Sequence, residues 1–245
     1  MLNQIQFGLE DRLIALSAWL GMLAMFLRQA RAESAAGDQE IVRLFRESMA
    51  RGAWARPLRI ARSAAPRPRV RRMFLCAVAA MRPLLGQSAS NTRVLAAILG
   101  GYLRGAARIG QTCLLPLGST APIAALERVG FDPDMPEIEA MARHAIGHAI
   151  FRKDLLIRGD LIQGLFLLLA HYAMMRWHAQ AIALRRGATR VAPQDFAQAI
   201  AGVESAYREE SQMVRLLDAY PVLSSLAYSM SRRKNSAHAL ARTVS

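Results

Sequence analysis

The helical periodicity of the apolar residues is the feature that most constrains the fold of this 245-residue chain. Alanine and leucine recur every three to four positions over most of its length, and alternating β-branched runs are missing. The stripe formed by Leu13, Leu16, Leu20, Leu23 and Leu27, for example, predicts a first helix over residues 9–31. We therefore predict an all-α protein, an irregular bundle of about seven or eight helices without a sheet.

Capping residues, prolines and glycines suggest where the later helices begin and end. Ser90 or Asn91 is a suitable N-cap, and Pro136 and Pro193 suit a first helical turn. From residue 70 onward the predicted helices are 70–82, 91–109, 136–157, 161–186 and 193–217, with a short last helix after Pro221. Between 114 and 136 four prolines predict a long connection with at most one helical turn.

Residues 53–69 are the least regular stretch, because Pro57, Pro66 and Pro68 interrupt arginine-rich spacers. This pattern predicts an exposed linker or loop. We expect a single helical domain over residues 1–245, with a conceivable subdivision into a basic half, 1–115, and a C-terminal helical half, 134–230.

Two uncharged apolar runs, Leu13–Leu27 and Leu161–Met175, each have 15 residues. A helix of that length reaches about 22 Å, short of the ~30 Å hydrocarbon core of a membrane. We therefore predict buried core helices, no transmembrane segment and a cytoplasmic protein. The alternative is a cleaved leader ending near Ala30–Ala32, although Glu10 and Asp11 stand where a leader is normally positive.

The positive charge is concentrated in one part of the chain. The net charge is +14, and no acidic residue occurs between Glu47 and Glu127, a stretch that holds twelve arginines. Such asymmetry favours a surface that faces an acidic protein or nucleic acid, and Trp54 beside it could stack on a base. The candidate binding residues are Arg56, Arg59, Arg62, Arg67, Arg69, Arg71 and Arg72. The alternatives are a solvated loop without a partner and, with the first helix, association with an anionic membrane surface.

Catalytic and metal-binding patterns are weak. His144 and His148 lie four residues apart on one predicted helix face, a spacing that two metal ligands can have, but no Glu follows His144 as in the zincin motif. His171 and His178 could join them, although His171 is more simply a hydrogen-bonded core residue. Cys76 and Cys113 are too few for a disulfide framework or a zinc site, and no serine, histidine and aspartate spacing selects a triad.

The segment 136–218 resembles the C-terminal helical region of the flagellin lysine-N-methylase family and related cysteine-cluster proteins. The positions that carry the resemblance are Phe151, Lys153, Asp160, Tyr172, Arg176, Asp195, Phe196 and Glu204. The Arg-Arg-Met-Phe-Leu run at 71–75 also looks like the segment before that family's middle helices. Members of the family carry an N-terminal cysteine cluster that holds a metal centre, and this sequence has no such cluster.

The resemblance implies a lysine-N-methylase-like helical protein that acts with a partner carrying the cysteine cluster or is degenerate in catalysis. It also implies S-adenosylmethionine as a cofactor, whereas the residues themselves indicate none, and no catalytic residue is carried over. A start site further upstream would be a third explanation. The alternative function is a non-catalytic helical adaptor that binds an acidic protein or nucleic acid through the block Arg51–Arg72.

Overall fold

The fold was derived from a computed structural model, which describes residues 8–33, 40, 43, 46–47, 51–52, 55–63, 65–84, 90–114, 119–151, 161–207, 225, 228–231 and 239–242. Among these residues, bounds can be given for eight α-helices, one 3-10 turn at Arg82–Leu84 and one two-stranded hairpin, and residues 228–231 and 239–241 are also helical. The helices are α1 Leu9–Glu33, α2 Ala55–Ser63, α3 Pro68–Met81, α4 Asn91–Ala107, α5 Ile123–Leu126, α6 Pro136–Phe151, α7 Leu161–Arg185 and α8 Pro193–Tyr207. The all-α prediction is confirmed.

Several helix ends lie where the local sequence predicts them. The Ser90 side chain accepts a hydrogen bond from the Arg93 amide at 3.4 Å and so caps α4. Gly187, with φ of +74°, follows the end of α7 in the left-handed conformation that glycine adopts at little cost. The Asp195 carboxylate accepts from the Ala192 amide at 2.8 Å at the start of α8. The predicted extension of this helix to 217 and the start of the helix after Pro221 lie outside the described residues.

The predicted loop over 53–69 is wrong for most of its length. Ala55–Ser63 is α-helical, and Pro57 is tolerated because it lies in the first turn, where its missing amide has no intrahelical partner to lose. Pro57 and Ala61 are buried on the side of α2 that packs against α1. The described non-helical part is reduced to residues 65–67, before Pro68 starts α3.

The prediction that there is no sheet is also wrong in one small place. Strands β1 Gln111–Leu114 and β2 Ser119–Pro122 pair antiparallel, with Gln111 opposite Pro122 and Leu114 opposite Ser119. Four residues are too few to establish an alternating pattern, so the sequence offered no periodic signal for them. The helical turn expected within this connection is present as α5.

Helix α7 is the centre of the protein. Seventeen of its residues are buried, and they lie on all of its faces. It contacts α1, α3, α5, α6 and α8. One cluster of buried side chains extends from Leu9 in α1 to Leu240 and Ala241 near the other end of the chain.

Aromatic contacts join the helices around α7. The ring of Phe166 in α7 meets Phe74 of α3 edge to face, with 5.7 Å between centroids. Phe196 of α8 contacts Phe131 at 5.5 Å. Among the described helices none is long and apolar enough to cross a membrane.

Candidate functional site

The arginines predicted to form one binding patch are divided between the surface and the interior. Arg59, Arg67 and Arg69 are exposed. Arg71 and Arg72, in the first turns of α3, are largely turned inward. The side chains of Arg56 and Arg62 on α2 lie outside the described part of the chain. The set therefore does not form a single surface in the part that is described.

Arg72 is a structural residue that joins three segments. Its Nη1 donates to the Glu127 carboxylate at 2.7 Å, and its Nε donates to the Gly105 carbonyl at 2.5 Å. The other oxygen of Glu127 pairs with Arg108 at 2.7 Å. Because Glu127 is the first carboxylate after the acid-free stretch, it neutralises part of that stretch's charge at one point.

A buried charge network lies where α1, α7 and residues 239–242 meet. Arg176 is 3% exposed and donates to the Glu10 carboxylate at 2.9 Å and to the Ala241 carbonyl at 3.0 Å. Tyr172 donates to the same carboxylate at 3.4 Å, and burial and then Glu10 raise the pKa of this phenol well above its usual value. Arg12 pairs with Glu139 of α6 within the same region. The periodicity of the sequence places these residues on core faces but does not reveal that their charges meet.

Helix α4 presents an exposed apolar stripe that sequence reasoning missed. Val94, Ile98, Gly101 and Gly105 are buried against α3, whereas the other apolar face consists of Leu95, Leu99, Tyr102 and Leu103. Leu99 is 53% exposed, Tyr102 45% and Leu103 65%, and Ile109 beyond the helix is 62% exposed. The sequence places apolar residues on two faces of α4, and packing against one neighbouring helix can bury only one of them. This pattern could have predicted an exposed apolar face.

Exposed arginines lie near both ends of α4 but on the side of the helix away from this stripe, because 3.6 residues per turn place Arg93 and Arg104 roughly opposite Leu95 and Leu99. Arg93 lies in the first turn of α4 and is exposed, as are Arg104 in its last turn and Arg108 at its C-cap. The whole helix belongs to the acid-free stretch, so no carboxylate alternates with them along it. We define the α4 face as Leu95, Leu99, Tyr102 and Leu103. Arg108 is already paired with Glu127. An apolar stripe on a helix whose charged side chains are all arginines fits a partner that offers apolar side chains and carries negative charge.

The weak metal candidates do not gain further ligands. His144 and His148 are exposed on α6, and nowhere in the described residues do three His, Cys, Asp or Glu side chains group to hold a metal ion. His171 and His178 each donate from Nδ1 to a carbonyl of their own helix, Leu167 at 3.1 Å and Met174 at 2.7 Å. The hypothesis of a four-histidine site is therefore wrong.

Most of the described residues that carry the methylase resemblance are buried and contact neighbouring helices. Tyr172 and Arg176 belong to the buried charge network, and Asp195 pairs with Arg186 at 2.7 Å besides capping α8. Phe196 is fully buried, and Glu204 is half-buried. Lys153, Asp160 and the Phe151 side chain lie outside the described part.

Comparison of the chain with protein-family models, curated proteins and solved structures found no match.

Proposed function

We propose that this protein is a non-catalytic helical interaction module whose α4 face binds an acidic amphipathic helix of another protein. The observation that carries the proposal is the exposed stripe Leu95, Leu99, Tyr102 and Leu103 within an arginine-bearing, acid-free segment. The proposal keeps the acidic partner expected from the charge pattern but assigns it to α4 rather than to residues 51–72.

The energetics of the face favour association. Burying one exposed leucine side chain completely contributes about 1.5–3 kcal/mol, so Leu95, Leu99 and Leu103 together can offset much of the cost of holding a partner. Their spacing along α4 matches the anchor spacing by which helices pack against each other. The positive charge of the acid-free segment around the face adds long-range attraction for an acidic partner.

The partner chemistry is set by charge. Among the described residues of α4, all the charged side chains are arginines, which would repel a basic helix and attract glutamates that flank a leucine stripe. A membrane surface or a nucleic acid is also anionic. A nucleic acid, however, offers phosphates and base edges rather than an aliphatic surface to cover Leu99 and Leu103.

The test measures binding of a fluorescent synthetic peptide, an acidic amphipathic helix with leucines on one face and glutamates beside them. We expect the double variant Leu99→Ser, Leu103→Ser to weaken binding by about 10-fold or more, because anchor side chains carry most of an interface's energy. Fluorescence anisotropy at two salt concentrations supplies the affinities, and higher salt should weaken binding by the unchanged protein.

The matched control is Met25→Ser, a change at a methionine that is 58% exposed on α1. It should leave the affinity for the peptide unchanged. Anionic vesicles, a DNA duplex and single-stranded RNA are measured in parallel. If one of these binds and the peptide does not, or if the control weakens binding as much as the double variant, the proposal is wrong.

A lysine-N-methylase-like role is a second proposal, supported by the resemblance over 136–218 alone. Of its described positions, Tyr172, Arg176, Asp195 and Phe196 are buried, and Glu204 is half-buried. Transfer of a labelled methyl group from S-adenosylmethionine would be measured with the chain alone and with cysteine-cluster proteins. Absence of both transfer and cofactor binding in every mixture would exclude it.

A further inference from the structure

A small pocket, with a volume of about 20 Å³ and open to solvent on one side, lies between α3, the turn after α5 and α7. Three of the side chains that line it are the arginines Arg71, Arg72 and Arg176, and one is the carboxylate Glu127. The apolar part of its wall includes Leu75, Leu126 and Trp177. It is separate from the α4 face, none of whose residues line it.

The cations of this pocket are not fully neutralised by the carboxylates near it. Glu127 is shared between Arg72 and Arg108, and Glu10 is held by Arg176. Arg71 donates to the Arg242 carbonyl at 3.4 Å, and no described carboxylate lies within ion-pair distance of it. Burial and the neighbouring Arg176 lower the pKa of Arg71 to about 9, although Glu10 and Glu127 act in the opposite direction.

Two further donors at the pocket lack partners. Trp177 is 7% exposed, and its Nε1 is buried with no hydrogen-bond partner among the described residues. The same is true of the Nε of Arg176, which is 3% exposed. A buried N–H without an acceptor costs about 1–3 kcal/mol, so such groups normally face a ligand or an ordered water.

An oxyanion would supply both a negative charge beside Arg71 and a hydrogen-bond acceptor for Trp177. A guanidinium can pair with two oxygens of a carboxylate or phosphate, and the indole N–H can donate to a lone pair that the guanidinium leaves free. A water molecule could accept from Trp177, but it would place no negative charge beside Arg71, which has no described carboxylate within ion-pair distance. We propose that the pocket binds the carboxylate or phosphate group of a small organic anion through Arg71 and Trp177. Because the pocket has room for little more than the anionic group, the rest of that anion extends toward the solvent past its apolar rim.

The first measurement is the thermal unfolding midpoint of the full chain during titration with acetate, benzoate or inorganic phosphate. Sodium chloride keeps the ionic strength constant. We expect a saturable rise of several degrees for at least one oxyanion, because a ligand that binds only the folded state stabilises it. The anion with the lowest half-saturating concentration indicates whether the pocket prefers a carboxylate or a phosphate. Benzoate should bind more tightly than acetate if the apolar wall contributes.

Variants separate specific binding from the general stabilisation that phosphate exerts on many proteins. Arg71→Gln should raise the half-saturating anion concentration by about 10-fold or more. Trp177→Phe keeps an aromatic ring but removes the Nε1–H, and it should raise that concentration by about 5-fold. Arg69→Gln changes an exposed arginine two residues away and should leave the response intact. Isothermal titration calorimetry with benzoate and phosphate repeats the comparison without unfolding.

The proposal is overturned if no oxyanion raises the midpoint more than chloride does. It is also overturned if Arg71→Gln and Arg69→Gln respond alike. Should Arg71→Gln fail to fold, Trp177→Phe decides, and an unchanged affinity in that variant would contradict the assignment.

Discussion

At the scale of single residues, burial decides the chemistry of side chains that look alike in the sequence. Arg67 and Arg69 are exposed, whereas Arg72, one helical turn after Arg69, is held by Glu127 and the Gly105 carbonyl. Cys76 lies in the same helix and is 3% exposed, so it packs as a small apolar side chain. The Cys113 side chain lies outside the described part.

Cys76 should resist alkylation in the folded protein. Burial raises the pKa of its thiol to about 11, although Arg72 and Arg104 act in the opposite direction. The thiolate is the reactive form, so at neutral pH its fraction, and with it the rate with iodoacetamide, should fall about 100-fold or more below that of an ordinary cysteine. The rate is measured by mass spectrometry in a Cys113→Ser background. A folded rate within a few-fold of the rate in urea would contradict the prediction.

At the scale of elements, the contact between α3 and α4 depends on two glycines. A Cβ atom at Gly101 would clash with the Cys76 carbonyl and lie 2.8 Å from the Ala77 Cα. One at Gly105 would lie 2.7 Å from the Met73 Cα. The close approach of the two backbones therefore decides which apolar face of α4 is buried, and it leaves the Leu99 face exposed.

Gly101→Ala should destabilise the protein, and Gly100→Ala should not. The first substitution forces the backbones of α3 and α4 apart, at a cost of about 2 kcal/mol or more. At Gly100 the nearest atom is the tip of the Arg104 side chain at 3.8 Å, and alanine is the better helix former by about 1 kcal/mol. Free energies of unfolding from urea titration compare the two variants. Equal effects would show that the α3–α4 contact is looser than described.

At the scale of the whole molecule, the buried charge network joins segments that are far apart in sequence. Arg176 of α7 contacts Glu10 of α1 and the carbonyl of Ala241. Arg242 adds contacts with Asp11 at 2.6 Å and with the Ala61 carbonyl at 2.5 Å. The first helix and residues 239–242 are thereby tied to the same face of the central helix.

Glu10→Gln should lower the free energy of unfolding by about 3 kcal/mol, because it leaves the charge of Arg176 buried without its carboxylate partner. The change should appear as a fall of about 1 M in the urea midpoint. Glu137→Gln alters an exposed carboxylate in the first turn of α6 and should shift the midpoint only slightly. A shift for Glu10→Gln no larger than this control would mean that the network contributes little to stability.

The amino-acid sequence by itself determined most of the helices and several of their ends. Ser90, Pro136, Gly187 and Pro193 act through neighbouring backbone groups, and helical hydrogen bonds join residues four apart, so this information is local. Local sequence information does not predict the helix around Pro57, because a proline in a first helical turn resembles a proline in a loop. It also does not predict the hairpin, whose strands have four residues each.

Only the tertiary structure decided which of the two apolar faces of α4 is buried and which charges meet. Gly101 and Gly105 allow α3 to cover one apolar face of α4, and Arg71 and Arg72 point inward while Arg69 does not. The meeting of Glu10 with Arg176 spans 166 positions. Such contacts follow from the packing of complete helices, and periodicity within one helix carries no information about the charge that its neighbour presents.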